Sequence, residues 1–559
     1  MIASRDKDQP AKAVRYPVSP DVVVYGAGVA GVRAALSLAG LGHAVTLAFP
    51  ETEPLADATA RAARFVEATA APADAGTLSQ LHETLLRTPQ IALRPACELT
   101  ALAGEVGSYR VTLRAGAADD TLTAGALLLA GGDSEPLPTE ALPLAPPHGQ
   151  TLDSLLRALT ASEEVPARLA LIADLDAEQG RLVTTLFLCA ARQTRLRGGR
   201  RVRVYCRSVR TGGTLIESLY RAARSVGVEF LRYARPPQYA VDGDAVTVTA
   251  EDTQLGRAVA ETFDRVVFAD HVPSPRNRRL AGLARIRQTA GRNAFSDNVW
   301  LLPCESSRRG IFVAGAGGAN TDFNELATEA ETAAHSIHAL LAKGRIELPD
   351  DAARVEKEKC VACLTCVRLC PHGAIAFSTA DGAAAVSPVM CQRCGVCAAE
   401  CPADAIGLPG YGRDDIRPRF AARPRLVCFA CANSATQAAE AARTQGLLDG
   451  TDLHVVEVPC AGTVDPRDVL HAFEQGADRV LVLSCNPDSC RYLDGASRAQ
   501  RRVTRIRDLL QKSGISPDRL FWGGLTAAES RRLAAFVTGK AMSYSTGGSP
   551  AAAVAQPLA

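Results

Sequence analysis

The chain has 559 residues, 47% of them hydrophobic and 22% charged, with 62 basic side chains against 60 acidic ones and a net charge of +2. That length exceeds one hydrophobic core and predicts about three or four domains. The even charge balance gives no electrostatic case for nucleic acid or an anionic membrane as partner, and the chain has no run of about 18 apolar residues of the kind that spans a bilayer. Its first residues, MIASRDKDQPAKAVRYPVSP, have no apolar signal core, so a cytoplasmic protein without direct membrane insertion is expected.

Residues 1–20 are polar, carry Pro10, Pro17 and Pro20, and predict a flexible lead. Residues 21–49 predict strand, glycine turn, helix and strand: Asp21–Tyr25, Gly26–Gly31, Val32–Gly40 and His43–Phe49. Residues 50–150 add an alternating strand at Tyr109–Leu113 and a strand running into glycines at Ala124–Gly132. Residues 151–265 form a second α/β subdomain, with strands at Leu169–Ile172 and Arg203–Tyr205 and a helix near Leu215–Val226. The first pattern resumes over 266–345, with a strand and glycine turn at Gly310–Gly315 and a helix to Leu341. Residues 350–410 are an internal repeat, in which Cys-Pro-His-Gly-Ala-Ile375 is echoed by Cys-Pro-Ala-Asp-Ala-Ile406. An Arg/Pro/Gly-rich linker covers 411–424, and strands and helices alternate over 425–540, as at Arg479–Leu483 and after Asp494. The Ser/Gly/Ala/Pro tail at 541–559 is expected to be disordered.

The repeat carries the strongest chemical signal. Cys360-x2-Cys363-x2-Cys366-x3-Cys370-Pro371 is followed by Cys391-x2-Cys394-x2-Cys397-x3-Cys401-Pro402. This is the spacing of a bacterial ferredoxin with two [4Fe–4S] clusters, in which the cysteine before proline reaches the other cluster. Cys360, Cys363, Cys366 and Cys401 are therefore assigned to one cubane, and Cys391, Cys394, Cys397 and Cys370 to the other. Structural zinc is the alternative, but zinc ribbons use paired CxxC units rather than two such runs.

Five further cysteines, Cys428, Cys431, Cys460, Cys485 and Cys490, fall at predicted strand ends of the C-terminal domain. Parallel sheets gather strand C-termini at one edge, so all five thiols are expected to face a common point. Four thiolates suffice for a [2Fe–2S] cluster, with zinc or a dithiol pair as alternatives. Cys97, Cys189, Cys206 and Cys304 stand alone, and Cys189 and Cys206 read as core residues.

Gly26-x-Gly28-x-x-Gly31 follows a strand and opens a helix, the arrangement that cradles a dinucleotide pyrophosphate. Phe49 occupies the end of the second strand, where an acidic ribose ligand is usual, and Glu51 or Glu53 is the nearest substitute. Residues 151–265 contain no second GxGxxG, so no nicotinamide domain is expected there. No acid, base or nucleophile constellation for substrate chemistry is found.

Residues 21–345 resemble the core of the A-type flavoprotein subunit of heterodisulfide reductase. The likeness lies in Val24–Gly31, Gly104–Val111, Val204–Gly213 and Gly310–Gly315 with Asp322 downstream. Residues 425–540 resemble the delta subunit of methyl-viologen-reducing hydrogenase, through Cys428-x2-Cys431, Pro459–Asp465 and Ser484–Tyr492. The order of the three parts is similar to that of the B-type subunit of the quinone-interacting membrane-bound oxidoreductase. The resemblance implies FAD held by Gly26, Gly28, Gly31, Gly315 and Asp322, and a C-terminal [2Fe–2S] cluster on a domain that docks to a partner subunit. The glycine–glycine–lysine stretch and the extra cubane cysteines of the heterodisulfide reductase flavoprotein are absent, so a flavin-bifurcating role is not implied.

The expected fold class is α/β multidomain. A Rossmann-like FAD domain over 21–150 and 266–345 is joined to the subdomain at 151–265, to an α+β dicluster ferredoxin unit and to a C-terminal α/β open-sheet domain. The expected function is electron transfer among two [4Fe–4S] clusters, a [2Fe–2S] cluster and FAD. The expected partners are subunits of a heterodisulfide-reductase-like, hydrogenase or formate dehydrogenase complex. An NAD(P)H-dependent flavin reductase and a flavin-free docking scaffold are the other readings.

Overall fold

The computed structural model describes residues 2–3, 13–56, 65–66, 77–130, 134–175, 180–212, 214–273, 275–287, 304–315, 323–416 and 425–539. Asp322 and the tail at 541–559 lie outside the described residues.

The first unit is a parallel sheet in the order Ile311–Val313, Ala126–Leu129, Val22–Tyr25, Val45–Ala48, Ile91–Arg94. Its middle strand, Val-Val-Val-Tyr, is buried along its whole length, as a parallel strand covered on both faces must be. The helix Val29–Gly40 packs Val32, Ala34, Ala35 and Leu38 against it. A three-stranded antiparallel sheet, Cys97–Ala103, Tyr109–Ala115 and Ala118–Ala124, sits beside the parallel one. The helix begins three residues earlier than its sequence expectation, because its first turn includes the last glycine of the motif.

The second unit repeats this topology. Arg168–Ile172 lies between Arg265–Phe268 and Arg201–Cys206, with Gly149–Thr151 and Val228–Arg232 at the edges. A second antiparallel triplet, Gln238–Asp242, Ala245–Asp252 and Arg257–Phe263, matches that of the first unit.

The ferredoxin unit has two small antiparallel pairs, Arg354–Val355 with Ile406–Gly407 and Ile375–Ser378 with Ala383–Val386. Its two short helices, Thr365–Leu369 and Val396–Ala399, each follow a left-handed residue, Leu364 and Gly395. One continuous core joins this unit to the first, running from Val22 through Tyr109 and Met390 to Cys397.

The C-terminal domain is a parallel sheet in the order Ile2–Ala3, Leu453–Val458, Leu426–Cys431, Arg479–Ser484, Leu520–Gly524. The lead, expected to be flexible, thus supplies an edge strand here. Its residues Ala13–Pro17 also pair antiparallel with Arg345–Pro349. Both pairings form with distant segments, so nothing in the local polar composition announces them. Among the described residues no helix is long and apolar enough to cross a membrane.

Candidate electron-transfer site

The eight ferredoxin cysteines fall into two groups of four. Cys360, Cys363, Cys366 and Cys401 line one cavity, and Cys370, Cys391, Cys394 and Cys397 line another. Each CxxCxxC loop wraps its own cavity, while the cysteine before proline crosses to that of the other repeat. The two halves also match in detail. Ala374 N–H donates to Cys370 Sγ at 3.4 Å and Ala405 N–H donates to Cys401 Sγ at 3.3 Å. Such N–H donors stabilise sulfur that carries negative charge. Burial pushes the Cys397 thiol up to about 12. Cys363 is exposed, and hydrogen bonding to Thr365 holds it below the ordinary thiol range.

In the C-terminal domain four thiols converge. Cys431 ends the central strand, Cys460 follows Leu453–Val458, Cys485 follows Arg479–Ser484, and Cys490 follows the turn Pro487–Ser489. Cys431, Cys485 and Cys490 form one small buried cluster with Ala496. Cys431 Sγ lies 3.8 Å from Cys485 Sγ, well beyond the roughly 2.05 Å of a disulfide, and all 17 cysteines are free. A Cβ on Gly495 would lie 2.1 Å from Cys460 Sγ and 3.7 Å from Cys490 Sγ, which brings the fourth sulfur into the group. Hydrogen bonds from Cys431 and Cys490 hold Cys485 far below the thiol range. Cys431 and Cys490 are raised in turn, by their bonds to Cys485 and Cys460 respectively and then by burial.

The expectation that all five thiols face one point is corrected by Cys428. It lies three residues before Cys431 on the same strand, and a strand's side chains alternate, so the two point to opposite faces. Cys428 packs with Ala430, Ala438, Leu453 and Leu481 on the far side of the sheet, where burial pushes its thiol up to about 12.

The second ferredoxin group abuts the C-terminal four. Thr463 Oγ1 donates to the Cys394 carbonyl at 2.7 Å. Burial and then the charge of Cys460 push the Cys394 thiol up. Gly395 makes this approach possible: it has φ +72, and a Cβ there would meet Thr463 Oγ1 at 2.1 Å. Arg502 clamps the same boundary, donating to Glu400 at 2.6 Å and to the carbonyls of Gly462 and Val464. Thr463, Gly395 and Arg502 carry no sequence signal of their own. Among the described residues no three His, Cys, Asp or Glu side chains are arranged around a single ion. A cluster spreads its ligands wider than one ion does.

The glycine turn has the form a pyrophosphate needs. Gly26 has φ +112, and a Cβ on Gly31 would sit 1.9 Å from the Gly26 carbonyl oxygen. Gly28 caps the helix without a side chain, leaving its first N–H groups for a ligand. The ribose side lacks a carboxylate. Phe49 is buried, and Glu51 is paired with Arg276 at 2.9 Å. Glu53 is exposed. Leu55 N–H closes onto the Ala27 carbonyl at 2.8 Å. Gly315 N–H donates to Glu329 at 3.0 Å, and burial raises that carboxyl to about 7.

The corresponding turn of the second unit carries a carboxylate instead of glycines. Asp174, at φ +66, accepts from the backbone N–H groups of Arg207 at 3.0 Å and Ser208 at 3.3 Å. The Arg207 guanidinium in turn donates to the carbonyls of Asp174 and Leu175. A pyrophosphate would meet negative charge there. Cys97, Cys189, Cys206 and Cys304 are all buried.

Residues 426–543 match the family model of the methyl-viologen-reducing hydrogenase delta subunit, and residues 352–402 match that of a 4Fe-4S dicluster domain. The chain is 30% identical over 348 residues to the A-type subunit of ferredoxin:CoB-CoM heterodisulfide reductase from Methanosarcina mazei, covering 61% of this chain and 44% of that protein. It therefore spans less than half the length of that relative. It is 34% identical over 115 residues to an iron-sulfur subunit of the F420-non-reducing hydrogenase from Archaeoglobus profundus, covering 21% of this chain and 84% of that protein. Thioredoxin reductase of T. acidophilum superposes with a TM-score of 0.40 at 14% identity, over 57% of this chain and 99% of that one. The chain thus belongs, through its C-terminal domain, to the methyl-viologen-reducing hydrogenase delta-subunit family, here fused to a 4Fe-4S dicluster domain and a region related to the A-type flavoprotein of heterodisulfide reductase.

Proposed function

We propose that the chain is an electron-transfer subunit of a heterodisulfide-reductase-like complex. The supporting observation is the gathering of twelve sulfurs into three groups of four, with the second and third groups in contact through Cys394 and Cys460. In this reading Cys360, Cys363, Cys366 and Cys401 hold one [4Fe–4S] cluster, and Cys370, Cys391, Cys394 and Cys397 hold the other. Cys431, Cys460, Cys485 and Cys490 hold a [2Fe–2S] cluster. FAD rests on Gly26, Gly28 and Gly31, with Gly315 and Asp322 on its far side. These groups supply one-electron chemistry when bound, and the chain's residues hold, space and insulate them. The partners are other redox subunits of hydrogenase, formate dehydrogenase or heterodisulfide reductase type. The carboxylate-filled turn at Asp174 disfavours a self-contained NAD(P)H reductase.

Anaerobic iron, sulfide and flavin counts test this. About ten irons per chain are expected from two four-iron clusters and one two-iron cluster, together with one flavin. Stoichiometric zinc, with no paramagnetic signal after dithionite, would refute the cluster assignment. Ten irons without flavin would favour the docking scaffold.

A further inference from the structure

A cavity of about 480 Å³ opens where the first unit, the ferredoxin unit and the C-terminal domain meet. It lies at the edge of the first sheet opposite the glycine turn, because the strand Ile311–Val313 enters from the cavity at Gly310 and leaves toward Gly315. Its polar side presents the guanidiniums of Arg308, Arg309 and Arg491 against the single carboxylate of Glu305. Phe312, Leu340 and Leu493 form an apolar flank.

Two of these guanidiniums are poorly compensated. Arg308 is 5% exposed. It donates to the carbonyl of Ala284 at 2.7 Å, while its Nε has no hydrogen-bond partner. Arg309 donates to the carbonyl of Val389 at 2.7 Å. Neither forms an ion pair among the described residues, and a buried cation without a counter-ion is costly. His372 adds an unmatched acceptor to the same wall. Its Nδ1 donates to the Ser307 carbonyl at 3.1 Å, so in the neutral ring Nε2 can only accept, and Nε2 has no partner. The Tyr492 ring stands edge-on to the His372 ring at 6.1 Å.

We propose that this cavity binds a phosphate monoester of mononucleotide size. One phosphoryl group carries nearly two negative charges, which matches three guanidiniums opposed by one carboxylate, and Arg forks suit its oxygens. The apolar flank and Tyr492 take the ring, and a ring or sugar donor satisfies His372 Nε2. The volume falls within the range of roughly 300–1,000 Å³ usual for such ligands. A bare oxyanion would leave most of it to water. The cavity is built by protein alone, so the inference stands apart from the flavin assignment.

The test titrates AMP, FMN and inorganic phosphate by calorimetry into the anaerobically prepared full chain, already saturated with FAD to exclude the glycine turn. AMP or FMN is expected to bind once per chain, at least tenfold tighter than phosphate. Arg309→Gln and Leu340→Trp are each expected to weaken it at least tenfold at unchanged iron content. Leu340→Trp fills the cavity without altering its charge, which guards against a folding defect in the arginine variant. Two results would overturn the proposal. One is no saturable binding of either nucleotide. The other is binding unchanged in both variants, even if Arg309→Gln shifts the cluster potential, because the guanidiniums would then serve only as countercharge to the adjacent cysteines.

Discussion

Gly495→Ala separates the fold of the C-terminal domain from its cluster. The added Cβ would lie 2.1 Å from Cys460 Sγ, where ordinary contact begins at 3.4 Å. The sulfur must therefore retreat by about 1.3 Å, the difference of those two distances. Metal–ligand distances tolerate only about ±0.2 Å, so Cys460 is moved out of reach several times over. The backbone cost is small in the other direction, because Gly495 opens the helix Gly495–Lys512 and has no left-handed φ, and alanine is the better helix former by up to about 1 kcal/mol. The iron-free variant should therefore melt at or above the temperature of the iron-free parent, while the native preparation falls from about ten irons to about eight. Iron and sulfide analysis with paramagnetic resonance after dithionite reads the loss. Ten irons with an unchanged spectrum in Gly495→Ala would refute ligation by Cys460.

Cys428→Ala is expected to keep every iron and to cost about 1 kcal/mol in denaturant melts, the scale of one buried methylene-sized group; loss of two irons would return Cys428 to the ligand set. Crossed ligation predicts that Cys401→Ser and Cys360→Ser erase the same cluster signal, and that Cys370→Ser matches Cys391→Ser instead. Pairing of Cys370→Ser with Cys360→Ser would reverse that assignment. The folded Glu329 carboxyl is raised to about 7 from an ordinary value of 4.5, so between those values the folded chain binds more protons than the unfolded one. Stability should therefore fall as pH rises from about 4.5 through 7, by at most about 3 kcal/mol. Glu329→Gln should flatten that slope in melts at pH 5 and pH 8, and an unchanged slope would assign the dependence to other groups.

The fold and the ferredoxin groups were largely legible because they rest on short-range pattern. Hydrophobic runs such as Val22–Tyr25 and Arg479–Ser484 are buried parallel strands, and CxxCxxCxxxCP carries its connectivity in its spacing. The exclusion of Cys428 was equally available, since an offset of three within a strand reverses the face. Strand-end geometry was applied to all five cysteines without that period. The edge strand Ile2–Ala3, the Arg502 clamp and the Arg308–His372 cavity depend on residues brought together over long sequence distances. No local periodicity encodes such contacts. The carboxylate turn at Asp174 shows the opposite case: the missing glycines were visible in the sequence, but only the fold reveals that this unit repeats the topology of the first.

Burial differs among the three sulfur groups in a way that bears on direction. Cys363 is exposed, and Val361 and Leu364 beside it are 65% and 37% exposed. Cys394 and Cys397 are buried, as are Cys431, Cys460, Cys485 and Cys490. Apolar side chains around an exposed ligand suit a face that excludes water when another protein covers it, while the inner sulfurs already have their insulation from this chain's own core. The continuous core between the first unit and the ferredoxin unit, with Gly395 and Thr463 at the next boundary, fixes the inner spacing without a partner. Within the described residues, then, the three groups run from an exposed end at Cys363 to a sealed end at the C-terminal four, and a redox partner meets the first of them with the least intervening protein.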